Sequence, residues 1–103
     1  MNNIWPNDAD GDILRKLLSN GFDFTEKYKI DFCIDFNNWP QPDGVKSVLY
    51  EYFTNLKVFE HEKYMLGVIH DYLTYDLVIK VQGEVTNLIS NYGGACDSWG
   101  VLH

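Results

Sequence analysis

Basic residues are scarce in this chain: eight Lys and Arg stand against fifteen Asp and Glu, for a formal net charge of −7. That balance excludes sequence-independent attraction to a nucleic-acid backbone, which needs a cationic surface. It points to a basic partner if the partner is charged. Cysteine is nearly absent, and Cys33 and Cys96 are too few for the disulfide framework of a small secreted domain. The opening "MNNIWPNDADGD" has neither a basic start nor an apolar signal core, so a cytoplasmic location is expected. Long apolar runs are missing too. None approaches the roughly twenty residues of a membrane span, because Lys, Asp or Glu interrupts each candidate. At 103 residues and 46% hydrophobic content, the chain suffices for one core and not for two. A single domain over 1–103 is expected.

The pattern that is present reads as mixed α and β. In "DADGDILRKLLSNGFDF", carboxylates suit a helix N-terminus, Ile13, Leu14, Leu17 and Leu18 share a helical face, and Gly21 stops the run. A first helix over about 10–20 follows. "YKIDFCIDF" alternates strictly, with Tyr28, Ile30, Phe32, Ile34 and Phe36 on one side and Lys29, Asp31, Cys33 and Asp35 on the other. This is the clearest strand. The loop "NNWPQPDG" holds two of the three prolines. After it Val45, Val48, Leu49, Tyr52, Phe53 and Leu56 recur at helical spacing, predicting a second helix over about 42–55.

"LKVFEHEKYMLGVIHDYL" reads as a hairpin turning near Glu62 and Lys63. Thr74 is placed to cap a third helix with Leu77, Val78, Val81, Val85, Leu88, Ile89 and Tyr92 as its stripe, ended by Gly93 and Gly94. "ACDSWGVL" adds a last strand. The order is that of an α+β ferredoxin-like sandwich (βαββαβ, four-stranded antiparallel sheet) with an additional N-terminal helix. Right-handed crossovers put both crossover helices on one sheet face. The other face, lined by Asp31, Cys33 and Asp35, stays open unless a partner, a second copy or the N-terminal helix covers it.

Three sharper readings compete with plainer ones. Asp8, Asp10, Gly11 and Asp12 start like an EF-hand loop, but Ile13 stands where the turn glycine belongs and Ser19 where the bidentate glutamate belongs. A carboxylate-dressed helix start is the better account. The paired glycines follow the third helix, at its negative end, so they are a helix stop and not a phosphate cradle. Cys33, His70 and Cys96 fall on neighbouring strands and, with strand three taken as running parallel to strand one, would gather at one end of the sheet. There is no CxxC spacing, however, and zinc needs three or four close ligands. Two ordinary buried or half-buried thiols are favoured, with no metal, cofactor or catalytic site assigned. An enzyme would need Cys33 as nucleophile with His70 or His61 as base, or the open-face aspartates as an acid–base pair. Trp5 and Trp39 sit beside prolines, where they cap core ends. Trp99 serves either as core packing or as an interface anchor beside carboxylates.

"DADGDILRKL…GFDF", then "IDFCIDF", and the terminal "YGGACDSWG" resemble the family of regulator of ribonuclease E activity B (RraB-like) over essentially the whole chain. In that family a D-x-D-G-D start, a leucine-bearing helix, a G-x-D-F turn and a closing Y-G-G-x-x-D-G-W-G segment recur in this order. The resemblance implies a ferredoxin-like fold and a non-enzymatic role: inhibition of an endoribonuclease by contact with its arginine-rich, noncatalytic scaffold region. Ser98 stands where the family motif usually has glycine, and the acidic C-terminal tail of the founding member is missing. The match singles out Asp10, Gly11 and Asp12 at the opening and Asp97, Trp99 and Gly100 at the close, for structural roles or for partner contact.

The leading expectation is therefore a small acidic adaptor that binds a basic protein segment of a ribonuclease assembly through the open sheet face and its acidic edges. Asp10, Asp12, Asp31, Asp35, Asp97 and Trp99 are the candidate contacts, with no direct nucleic-acid or membrane binding. The rivals are an immunity-type protein neutralising a basic toxin, and a small Cys/His hydrolase.

Overall fold

A computed structural model describes residues 5–101. It contains α1 (Ala9–Ser19), β1 (Lys27–Phe36), α2 (Asp43–Tyr52), β2 (Asn55–Phe59), β3 (Tyr64–Tyr72), α3 (Tyr75–Ile89), a 3-10 turn (Ser90–Tyr92) and β4 (Gly94–Val101). The strands form one sheet in the order β2-β3-β1-β4, and every pairing is antiparallel. This is the expected ferredoxin-like α+β sandwich with an added N-terminal helix.

The expectation that β3 runs parallel to β1 is corrected. The α2 crossover returns the chain so that β2 runs parallel to β1, and the hairpin then reverses it. Inserted between β1 and β2, β3 is antiparallel to both.

Strand alternation sets the two faces of the sheet. Ile30, Phe32, Ile34 and Phe36 point under the helices and are buried, three of them completely. Leu14 of α1, Val45 and Leu49 of α2, and Val78, Val81, Val85 and Ile89 of α3 close the same core. Each such side chain contributes about 1.5–3 kcal/mol on removal from water. Because Leu14 joins this core and α1 packs against α3, the N-terminal helix lies in the helix layer and leaves the other sheet face uncovered among the described residues.

Several sequence expectations are trimmed. Of the apolar stripe of α1 only Leu14 is fully buried; Ile13 and Leu18 are 38% and 42% exposed, because the helix rests one narrow edge on the core. Helix two ends at Tyr52, since Phe53 turns to an extended backbone and lays its ring over Gly67 of β3. A Cβ at Gly67 would stand 2.5 Å from that ring. Leu56 is consequently a strand residue, and Val48 is exposed. In α3, Leu88 faces outward, and Tyr92 belongs to the 3-10 turn.

The two glycines that follow do different jobs. Gly93 takes the left-handed conformation (φ 73) that ends the turn, whereas Gly94 opens β4 where a Cβ would strike Phe36 and Ile89. Trp5 packs on Phe24, and Trp39 stands edge-on to Phe36, so both cap the core as expected.

Candidate functional site

The opening motif and the closing motif meet. Asp8 is the N-cap of α1: one carboxylate oxygen accepts from the Gly11 backbone N–H at 2.7 Å, and the other accepts from the Tyr75 hydroxyl at 2.6 Å. Both bonds favour the charged form, so the carboxyl is held below its ordinary range, with the Tyr75 hydroxyl the larger cause. Gly11 has no Cβ because one would stand 2.1 Å from the Pro6 carbonyl oxygen, where the chain folds over the first turn. Asp12 pairs with Arg15, whose guanidinium also donates to the Trp5 carbonyl.

Asp10 reaches furthest. Its carboxylate accepts the indole N–H of Trp99 at 2.8 Å and lies 3.4 Å from the Gln82 amide. Trp99 pairs with Phe32 in the β1–β4 register and is half-buried on the helix side, where it packs against the core. Its ring completes the inner layer while its N–H anchors α1.

Around this junction α3 and β4 enclose an open groove of about 500 Å³, lined among others by Asp10, Gln82, Gly83, Thr86, Cys96 and Asp97. The β-bulge of β4 shapes it. Cys33 pairs with Ser98 but Ile34 pairs with Cys96, leaving Asp97 as the extra, exposed residue. Thr86 secures the edge strand there, accepting from the Cys96 N–H at 3.0 Å and donating to its carbonyl at 3.3 Å. Neither Gln82 nor Thr86 was foreseen. A polar residue in the flank of an apolar helix carries no signal of what it will meet.

On the open face Asp31, Cys33 and Asp35 stand in one row as the alternation requires. The face is not uniformly acidic. Lys27 and Lys29 share the β1 row, His70 lies opposite Lys29, and Lys57 reaches across from β2. Lys29, Asp31, Asn55, Lys57, Val68 and His70 line a basin of about 330 Å³. Asp35 and Asp97 lie toward β4, where both oppose ionisation of the Cys33 thiol.

Cys33, His70 and Cys96 are not brought together. Antiparallel pairing sets Cys33 opposite Leu66 and His70 opposite Lys29, four positions along the strand or about 13 Å. Cys96 points to the core side and is 3% exposed. Both thiols are free. Burial, then Asp35, pushes the Cys33 thiol up, and burial, then Asp97, pushes Cys96 up to about 12. Neither is a thiolate at neutral pH. Among the described residues no group of three or more His, Cys, Asp or Glu side chains is placed to hold a metal ion. No helix is long and apolar enough to cross a membrane.

Fold and site together define a ferredoxin-like domain whose sequence-distant acidic and tryptophan motifs form one junction beside an acidic groove. The family described as Regulator of ribonuclease activity B matches residues 7–101, and the chain belongs to that family. Comparison with curated proteins finds no match.

Proposed function

We propose that this protein is a non-catalytic regulator that binds a basic segment of a ribonuclease assembly by protein–protein contact. Membership of a ribonuclease-regulator family over 7–101 carries the reading. The excess of fifteen acids over eight bases supports it, since complementary charge steers a basic segment to this surface and speeds encounter. Asp97 on the bulge, Asp35 beside it on the sheet, and Asp10 and Asp12 at the start of α1 are the carboxylates offered to such a segment. Asp31 adds a further one from the sheet face, among lysines. Trp99 contributes through Asp10, which it orients.

The test is a cleavage assay with endoribonuclease E, intact and without its arginine-rich noncatalytic region. The wild-type chain is expected to slow cleavage by the intact enzyme only. Asp35→Asn/Asp97→Asn is expected to weaken that effect severalfold, more at low salt than at moderate salt. Failure of the wild-type chain to bind or slow the intact enzyme at low salt overturns the proposal.

A further inference from the structure

Away from Asp35 and Asp97, the open sheet face carries charge of the wrong sign for a basic partner, with Lys29 and Lys57 flanking Asp31. In its paired rows Lys27, Lys29 and Lys57 stand with only Asp31 and Asp35, in a chain where acids outnumber bases fifteen to eight. Lys29 and Lys57 form no salt bridge among the described residues, although Asp31 lines the same basin. Lys57 lies on β2, an edge strand, where a lysine guards against stray strand pairing. Lys29 stands opposite His70 of β3, one residue before the β4 pairing begins at Ile30, on an exposed row where a valine or threonine has the higher strand propensity. Between the lysines stand half-buried Leu66 and buried Val68 of β3, bounded at one end by the stacked rings of Phe59 and Tyr64, 4.8 Å apart.

We propose that this face is a second docking surface, opposite in charge to the acidic groove, which takes an extended acidic polypeptide segment. Carboxylates of the segment pair with Lys29 and Lys57, and an apolar side chain between them covers the half-buried Leu66. A polypeptide fits better than a nucleic acid. A polyphosphate chain would run over Asp31 and Asp35 and against a net charge of −7, whereas a peptide places its few carboxylates only where the lysines are. Phe59 and Tyr64 already stack on each other, which leaves fewer free ring faces for bases.

The probe is a short peptide alternating Glu and Val, with its Gln/Val and Lys/Val counterparts and an oligouridylate, each titrated into the isotope-labelled full chain. The Glu/Val peptide is expected to shift the amides of Lys29, Asp31, Leu66, Val68 and His70, with an affinity that falls as salt rises. Lys29→Gln/Lys57→Gln is expected to weaken it about fivefold to tenfold, two exposed charge pairs being worth that much. The amide map on the wild-type chain stands as evidence even if the variant folds poorly. The proposal is overturned if the Glu/Val peptide leaves the open face unshifted, if the Gln/Val peptide binds it equally well, if oligouridylate binds the same amides more tightly, or if sedimentation shows self-association while the amides of this face shift with chain concentration. The Lys/Val peptide reports on the acidic groove, so loss of the proposed ribonuclease contact and loss of this one are read separately.

Discussion

Trp99 donates its indole N–H to the Asp10 carboxylate at 2.8 Å, across 89 positions of chain. The bond ties the first turn of the N-terminal helix to the last strand of the sheet. Hydrogen bonds to charged groups contribute about 1.5–3 kcal/mol, and this one is partly shielded from water. Trp99→Phe and Asp10→Ala are each expected to lower urea-unfolding stability by about 1–2 kcal/mol. The double variant should lose less than the sum, with a coupling of about 1 kcal/mol. Strictly additive losses would mean that the two side chains act separately.

Two helical glycines give opposite expectations. Alanine is the better helix former by about 1 kcal/mol in each case. At Gly83 a Cβ meets nothing within 4 Å, so Gly83→Ala is expected to stabilise the protein by about 0.5–1 kcal/mol. At Gly11 the Cβ would strike the Pro6 carbonyl at 2.1 Å, and Gly11→Ala is expected to destabilise by about 1–3 kcal/mol despite the propensity gain. Thermal unfolding of the pair checks the signs, and a shift in the same direction for both would contradict this account.

One hydrogen bond sets a limit at each end of the pH scale. Asp8 is held below its ordinary value of 3.8 by the Tyr75 hydroxyl first and the Gly11 N–H second. Its contribution is therefore present above that value and lost as acid carries the pH below it, through the folded value. Tyr75 is raised from 10.0 to about 12, chiefly because it donates to Asp8. Its contribution is complete below pH 10 and lost as the pH climbs toward 12. Tyr75→Phe should flatten both declines in a plot of the urea midpoint against pH. Asp8→Asn, which keeps a capping residue, should flatten the acidic one. Unchanged slopes would remove the bond from the folded protein's energetics.

Thiol chemistry offers a further check. With both thiols raised, alkylation at neutral pH is expected to be slower at Cys33 than at a free cysteine, and at Cys96 to await unfolding. Site-resolved mass spectrometry over time measures both. Rapid modification of Cys33 would revive a nucleophilic role for it.

Residue by residue, what could be read in advance follows physical range. β1 was legible because its alternation is a local property: one residue in and the next out already says that Asp31, Cys33 and Asp35 share a face. The caps were legible for the same reason, since Thr74 bonds Leu77 only three positions on. Helix two was overrun because Phe53 and Leu56 keep a helical spacing while answering to Gly67 and the core across the sheet. Cys33 and His70 were set too close because strand direction depends on which strand is inserted between which, and no local pattern records that.

Composition and periodicity determined the class of fold, the acidic character and the two terminal motifs, since burial and helix capping act over a few residues. Only tertiary structure decided what those motifs do. It joined Asp10 to Trp99, turned Trp99 toward the core side, and set Lys57 of β2 on the face that alternation had already given to Lys29 and Asp31. Those pairings arise between strands and helices far apart in the chain, where the order of strands in the sheet sets which side chains meet.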